Sequence, residues 1–173
     1  MVGFFMDIER VESNAFGHFE YLPSLLGFSV KKDEAITVIN CGLGTSMFNI
    51  VCDTWLPQNI SLRETIQKIV ERFDGQPFAW WLGPSSKPLY LGEKLLDYGF
   101  VKETTEHAMA CELDRVQLFS DDEMTIPIVQ VKTYHELQSF VSVLAHYDVS
   151  VKPFYARLNP SVSTREKLFV GFE

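Results

Sequence analysis

Cysteine, histidine and a tryptophan pair are the side chains here whose types could build a site. The thiols are Cys41, Cys52 and Cys111, and the histidines stand at 18, 107, 135 and 146. A metal site needs ligands that the backbone can bring onto one ion, as His at i and i+4 or a CxxC pair does. Neither spacing occurs, so no metal is expected. No GxSxG turn exposes a serine nucleophile. Cys52, near the end of an apolar run, is a candidate thiol nucleophile, although the position equally suits a small hydrophobe packed inside a strand. Gly42-Leu-Gly-Thr-Ser46 has the glycine content of a phosphate cradle. Such a cradle works at a helix N-terminus, and the residues that follow it, MFNIVCD, have the pattern of a strand, so the segment reads as a turn. Trp80 and Trp81 cannot share a sheet face, because side chains alternate along a strand. One ring packs in the core, and the other faces a covering helix, a cleft or a partner.

The elements that must position these residues follow from composition and periodicity. The chain has 173 residues, enough for one domain or one and a fragment. Its net charge of −8 and pI near 5.0 exclude a general nucleic-acid binder, which needs clustered Lys and Arg. The apolar stretches are too short to span a bilayer. The acidic start MVGFFMDIERVE is not a signal peptide, and three widely spaced cysteines imply reduced thiols and a cytoplasmic location. Residues 1–125 carry a net −9 and residues 126–173 a net +1. The change falls in the acidic run 119–127, closed by Pro127, which places a domain boundary near residue 125.

Residues 4–27 read as helical with breaks at Gly17 and Pro23. Strands are expected over 28–32, 35–40 and 47–53, the first two joined at 32–34. Ser61 and Glu64 form a capping box for a helix whose apolar stripe is Leu62, Ile66, Ile69, Val70 and Phe73. A buried strand at 78–82 follows, then a short helix opened by Pro88, carrying Leu89, Leu91, Leu95 and Leu96 and stopped by Gly99. A strand is expected over 104–113. Beyond the boundary come a strand at 126–132 and a second capping box, Thr133 with Glu136. The helix after it carries Leu137, Phe140, Val141, Leu144 and Tyr147 on one face. A short helix at 153–158 and an apolar strand at 168–172 complete the order. An apolar strand in that position is either an edge or the start of a larger sheet.

The segment Pro77-Phe-Ala-Trp-Trp-Leu-Gly-Pro-Ser-Ser-Lys-Pro-Leu-Tyr-Leu-Gly-Glu-Lys-Leu-Leu-Asp-Tyr-Gly-Phe100 resembles a signature of the N-terminal half of bacterial two-domain GNAT proteins, the acetyl-CoA-dependent N-acetyltransferases. The strand beginning near Asn49, the helix 61–73 and the run Met109–Leu113 agree with it. The resemblance implies an α/β (α+β) acyl-CoA N-acyltransferase fold, with a mostly antiparallel mixed sheet flanked by helices. It implies acetyl-CoA as cofactor and a small-molecule or peptide amine as acceptor. In the family, the first helix after the strands receives the cofactor pyrophosphate on its N-terminus, through a glycine-rich loop. Here the corresponding residues are Gln58-Asn-Ile-Ser61-Leu-Arg63. Ser61 and Arg63 stand where small residues should be, leaving a degenerate cofactor-binding position. The family's acid tyrosine falls at Leu95, and Tyr98 is out of register with it.

Residues 1–125 therefore read as a degenerate GNAT-like domain, and 126–173 as the opening strand, two helices and strand of a second, incomplete one. No catalytic residue is assigned. The chain reads as part of an acetyltransferase without transfer chemistry of its own, or else as a GNAT-like binding or dimerisation module. In the second reading Cys52, Arg63, Trp80 and Trp81 are the candidates for lining a cleft. A missing C-terminal domain or a second copy pairing through the last strand would complete the 126–173 lobe.

Overall fold

The computed structural model describes residues 8–107, 126–161 and 165–172. They fall into two compact units, residues 1–110 and 111–173. Both are mixed α/β, and no helix among the described residues is long and apolar enough to cross a membrane. Most of the acidic run 119–127 lies outside the described residues, as do Phe4 and Phe5 and the part of the expected 104–113 strand beyond His107. Thr104–His107 belong to neither helix nor strand.

Unit 1 begins with helix α1 (Ile8–Leu25), which runs unbroken through Gly17 and Pro23. The expected breaks do not occur. Pro23 sits in the last turn, where it forfeits one i→i−4 bond without ending the helix, which closes two residues later at Leu25 and is followed by Gly27. Gly27 has φ +74°, a left-handed conformation that glycine adopts without a Cβ clash. There Phe28 N donates to Pro23 O at 2.9 Å and Gly27 N to Ser24 O at 3.1 Å, the bond pair of a Schellman cap.

Strands β1 (Ser29–Lys32), β2 (Thr37–Asn40) and β3 (Ile50–Cys52) then pair antiparallel in sequence order. Asp33 closes the first turn by accepting from Ala35 N at 2.8 Å and Ile36 N at 3.0 Å. β3 is shorter than the expected 47–53, because Met47 and Phe48 belong to the connection and Met47 is exposed.

Helix α2 (Leu62–Arg72) carries the chain over to β4 (Ala79–Trp80), which pairs parallel with β3. Ser61 caps α2 by accepting from Glu64 N at 3.4 Å. Val70 leaves the predicted stripe and is 43 % exposed, while Ile66, Ile69 and Phe73 are buried. β4 is only two residues long and half-buried, so the buried strand expected at 78–82 is shorter and less covered. α3 (Leu91–Asp97) follows, ended by the same pair of bonds at Gly99 and Phe100. It buries Leu91 and Leu95. Leu89 precedes the helix and Leu96 points outward, so both are exposed, against the four-leucine stripe read from the sequence.

Register decides which helix covers which sheet face. Val38, Val51 and Trp80 are successive cross-strand partners, so they share one face. On it lie Ile69 and Phe73 of α2, packed with Ile36, Val38 and Val51, and beside them Ile66, Leu91 and Leu95. The opposite face carries Cys52 and Trp81 toward α1, with the Trp81 and Phe19 ring centroids 5.1 Å apart. Trp80 and Trp81 are thus split between the two layers, as strand alternation requires.

Unit 2 pairs β5 (Ile128–Gln130) antiparallel with β6 (Phe169–Gly171); α4 (Tyr134–Ala145) packs on β6, and α5 (Val151–Tyr155) packs on α4. Both halves of the Thr133–Glu136 capping box form: Thr133 Oγ1 accepts from Glu136 N at 3.3 Å, and the Glu136 carboxylate accepts from Thr133 N at 2.8 Å. Backbone donors at Lys132 and Thr133, and the Thr133 hydroxyl, hold that carboxyl below its usual range. The core is Val131, Leu137, Val151, Phe154, Leu158 and Val170. Tyr147, placed on the apolar face by its spacing, lies past the end of α4 and is 84 % exposed.

Candidate functional site

In sheets with parallel strands, ligands enter the crevice beyond the strands' carboxyl ends. Among the described residues of unit 1 such a place lies past Cys52 of β3 and Trp80 of β4. Ala79 N donates to Asn49 O at 2.9 Å and Trp81 N to Val51 O at 2.7 Å, so the pair is tight to its end. It does not then splay open. Lys87 N donates to Thr54 O at 2.9 Å, and Leu56 N to Lys87 O at 3.0 Å, rejoining the two chains. Trp55 and Lys87 form a parallel bridge there. Residues 82–86 arch outward between the two closures.

The arch is itself held. Ser86 N donates to Gly83 O at 3.1 Å, and Ser86 Oγ accepts from Gly83 N at 3.0 Å. From α1, the buried Glu12 carboxylate accepts from Ser85 N at 3.2 Å. A Cβ at position 83 would displace that carboxylate, so glycine there permits the close approach of Glu12 rather than a special φ. The interior of the crevice holds Trp80, whose Nε1 donates to the buried Thr54 Oγ1 at 3.0 Å and whose ring stands edge-on to Phe100 at 6.0 Å.

On the other side of β3, the nine-residue connection from β2 wraps around Asn49. That side chain has no solvent exposure. Its Oδ1 accepts from Cys41 N at 3.0 Å, and its Nδ2 donates to Leu43 O at 2.6 Å and Pro77 O at 2.9 Å. Gly42 N is taken by Asn40 Oδ1 at 2.8 Å and Met47 N by Thr45 Oγ1 at 3.2 Å. The Gly42–Ser46 segment is a turn between antiparallel strands, with Asn40 holding its first amide and Thr45 the amide that follows it.

Each candidate residue has a definite place. Cys52 is fully buried in β3. Burial, with the negative charges of Glu20 and Asp53, pushes its thiol up to about 12, so no thiolate forms at neutral pH. Lys32 nearby bridges Glu20 at 2.9 Å and Asp53 at 3.2 Å, and its pKa is raised, first by the bond to Glu20. Lys32 and Asp53 are exposed and Glu20 half-buried, so the trio contributes little stability. Ser61 is committed to capping α2, and Arg63 is exposed in the first turn. Trp80 and Trp81 pack on opposite layers and line no common cleft. Leu95 is core, and Tyr98 is an exposed C-cap.

Among the described residues no group of three or more His, Cys, Asp or Glu is arranged to hold a metal ion. Unit 2 contains a shallow groove of about 520 Å³, lined among others by Gln130, Lys132, Asn159, Glu166 and Lys167. Sequence reasoning missed Thr54, Lys87 and Glu12. Lys87 acts through its backbone, which leaves no side-chain signal, and a buried Glu on a helix looks like any surface acid until its partner is known.

The geometry defines a mixed α/β protein: a four-stranded mixed sheet between helices in unit 1, and a two-stranded sheet covered by helices in unit 2. No family model, curated protein or solved structure matches the chain.

Proposed function

We propose that unit 1 is a GNAT-type acyl-coenzyme-A lobe whose cofactor crevice is closed, belonging to an N-acetyltransferase without performing acetyl transfer itself. The resemblance of Pro77–Phe100 to the GNAT signature motivates the family reading. The element order supports it: a helix, three antiparallel strands, then a helix crossing over to a parallel strand and a further helix. The observation that carries the non-catalytic half is the rejoining of Thr54, Leu56 and Lys87 across the strand ends, where an acyl thioester arm would otherwise lie. Ser61 and Arg63 add to it, because side chains stand where a pyrophosphate needs bare backbone. A transferase of this kind acts by holding amine and thioester in attack geometry, and a crevice that admits no thioester cannot do so.

Calorimetric titration of the 173-residue chain with acetyl-CoA tests the reading. The expected result is no measurable heat, a Kd weaker than about 1 mM. Micromolar binding would show that the crevice opens and that unit 1 still holds the cofactor. The second reading, a binding or dimerisation module, agrees on the absence of transfer.

A further inference from the structure

We infer that Glu12 is a latch: its carboxylate, carried on α1, holds the arch 82–86 in place, and its release opens the crevice past β3 and β4 while the rest of the unit 1 sheet stays formed. The inference rests on the closed-crevice reading and deepens it, by naming the contact that controls the closure.

Helical spacing puts Glu12 on the stripe of α1 that carries Phe16 and Phe19, at i, i+4 and i+7. Phe16 is buried and Phe19 packs on Trp81, so this stripe is the one laid on the sheet. Of the buried residues of α1, which are Glu12, Phe16, Leu22 and Pro23, only Glu12 carries a charge. A leucine there would bury at no cost, whereas a carboxylate taken out of water is costly unless it is hydrogen-bonded. Among the described residues its bonds come from one donor, Ser85 N, at 3.2 Å to one oxygen and 3.4 Å to the other. The acid is placed for the arch.

The donors of the arch show why that bond matters. Pro84 has no N–H. Gly83 N goes to Ser86 Oγ and Ser86 N to Gly83 O, so both are spent inside the arch, and Ser85 N reaches out to α1. Gly83 brings its backbone against the Glu12 carboxylate, which lies in the space a Cβ would take. The residue that follows the arch is Lys87, whose N–H donates to Thr54 O and whose C=O accepts from Leu56 N. An arch tied near its middle has fewer conformations to lose when Lys87 docks, so the tie lowers the entropic cost of closure. Removing the tie frees the chain from 82 to 87 and leaves the strand pair up to the Trp81 N–H intact.

Amide hydrogen exchange of the 173-residue chain, read at Lys87, Leu56 and Trp81, tests this. In Glu12→Ala the Lys87 and Leu56 amides are expected to exchange at least about tenfold faster, as loss of a bond to a charged acceptor predicts, with Trp81 unchanged. Gly83→Ala reaches the same state from the arch side, since its methyl group displaces the carboxylate while α1 keeps its sequence. Glu12→Gln retains an acceptor oxygen and is expected to stay within about threefold of the unaltered chain. Unchanged Lys87 and Leu56 exchange in either alanine variant overturns the latch. So does a rise shared equally by Trp81, or a glutamine variant as open as Glu12→Ala. Open Lys87 and Leu56 amides in the unaltered chain are a separate failure, which removes the closed crevice and the latch with it.

Discussion

Replacing Asn49 by alanine is expected to destabilise unit 1 by about 4 kcal/mol, one of the two largest single-residue effects in the chain. The substitution removes no exposed surface and almost no apolar packing. It leaves Cys41 N, Leu43 O and Pro77 O without the partner that satisfied them at 2.6 to 3.0 Å. An orphaned buried backbone group costs about 1–3 kcal/mol, and three are orphaned together in one loop that can relax only in part. Urea unfolding followed by tryptophan fluorescence reads this cleanly, since Trp55, Trp80 and Trp81 all lie in unit 1. A loss below about 1 kcal/mol would mean that water or loop movement replaces the amide. Asn49→Asp sharpens the test through pH. An ionised carboxylate still accepts from Cys41 N but opposes two carbonyl oxygens, so its folded-state pKa rises above the unfolded value near 3.9. Its variant is expected to be least destabilised in acid, losing stability as pH rises through the raised folded pKa.

The second large effect is Phe73→Ala, at about 3–5 kcal/mol. Phe73 is 1 % exposed at the end of α2 and stacks on Phe78 with ring centroids 4.1 Å apart and planes 7° from parallel. It packs with Ile36, Val38, Val51 and Ile69, so its removal opens a cavity between the sheet and α2. Against a total of about 5–15 kcal/mol for a domain, that is a large share of what holds unit 1 folded. Phe73→Leu, which keeps most of the volume, is expected to cost about 1–2 kcal/mol. The same urea midpoints check both, and an alanine variant as stable as the leucine one would contradict this packing.

What was legible in the sequence was what local chemistry settles. Both helices with a Ser or Thr cap and a following Glu start where those residues stand, because the cap bonds lie within four residues. The alternation argument for Trp80 and Trp81 needed only the strand. Three features depended on distant partners. The helix α1 survives Pro23 because its end is closed by Gly27 and Phe28 rather than by the proline. β3 and β4 are short because Asn49 and Lys87, far apart in sequence, decide where pairing stops and resumes. The exposed Val70, Leu89 and Leu96 obey helical spacing in part, but two short helices cannot cover every apolar position with one narrow sheet face. The candidate residues were found as types, whereas their roles depended on burial: Cys52 carries a sulfur that burial keeps protonated, and Ser61 is a cap.

The central claim is that the crevice past β3 and β4 is shut, and amide hydrogen exchange tests it most directly. The N–H groups of Lys87 and Leu56 should be protected to the degree of the Trp81 N–H inside the strand pair, both alone and with acetyl-CoA present at about 1 mM. Exchange of Lys87 and Leu56 at the rate of exposed amides, while Trp81 stays protected, would contradict the account. It would mean that the closing bonds are transient and that the strand ends stand open to a ligand.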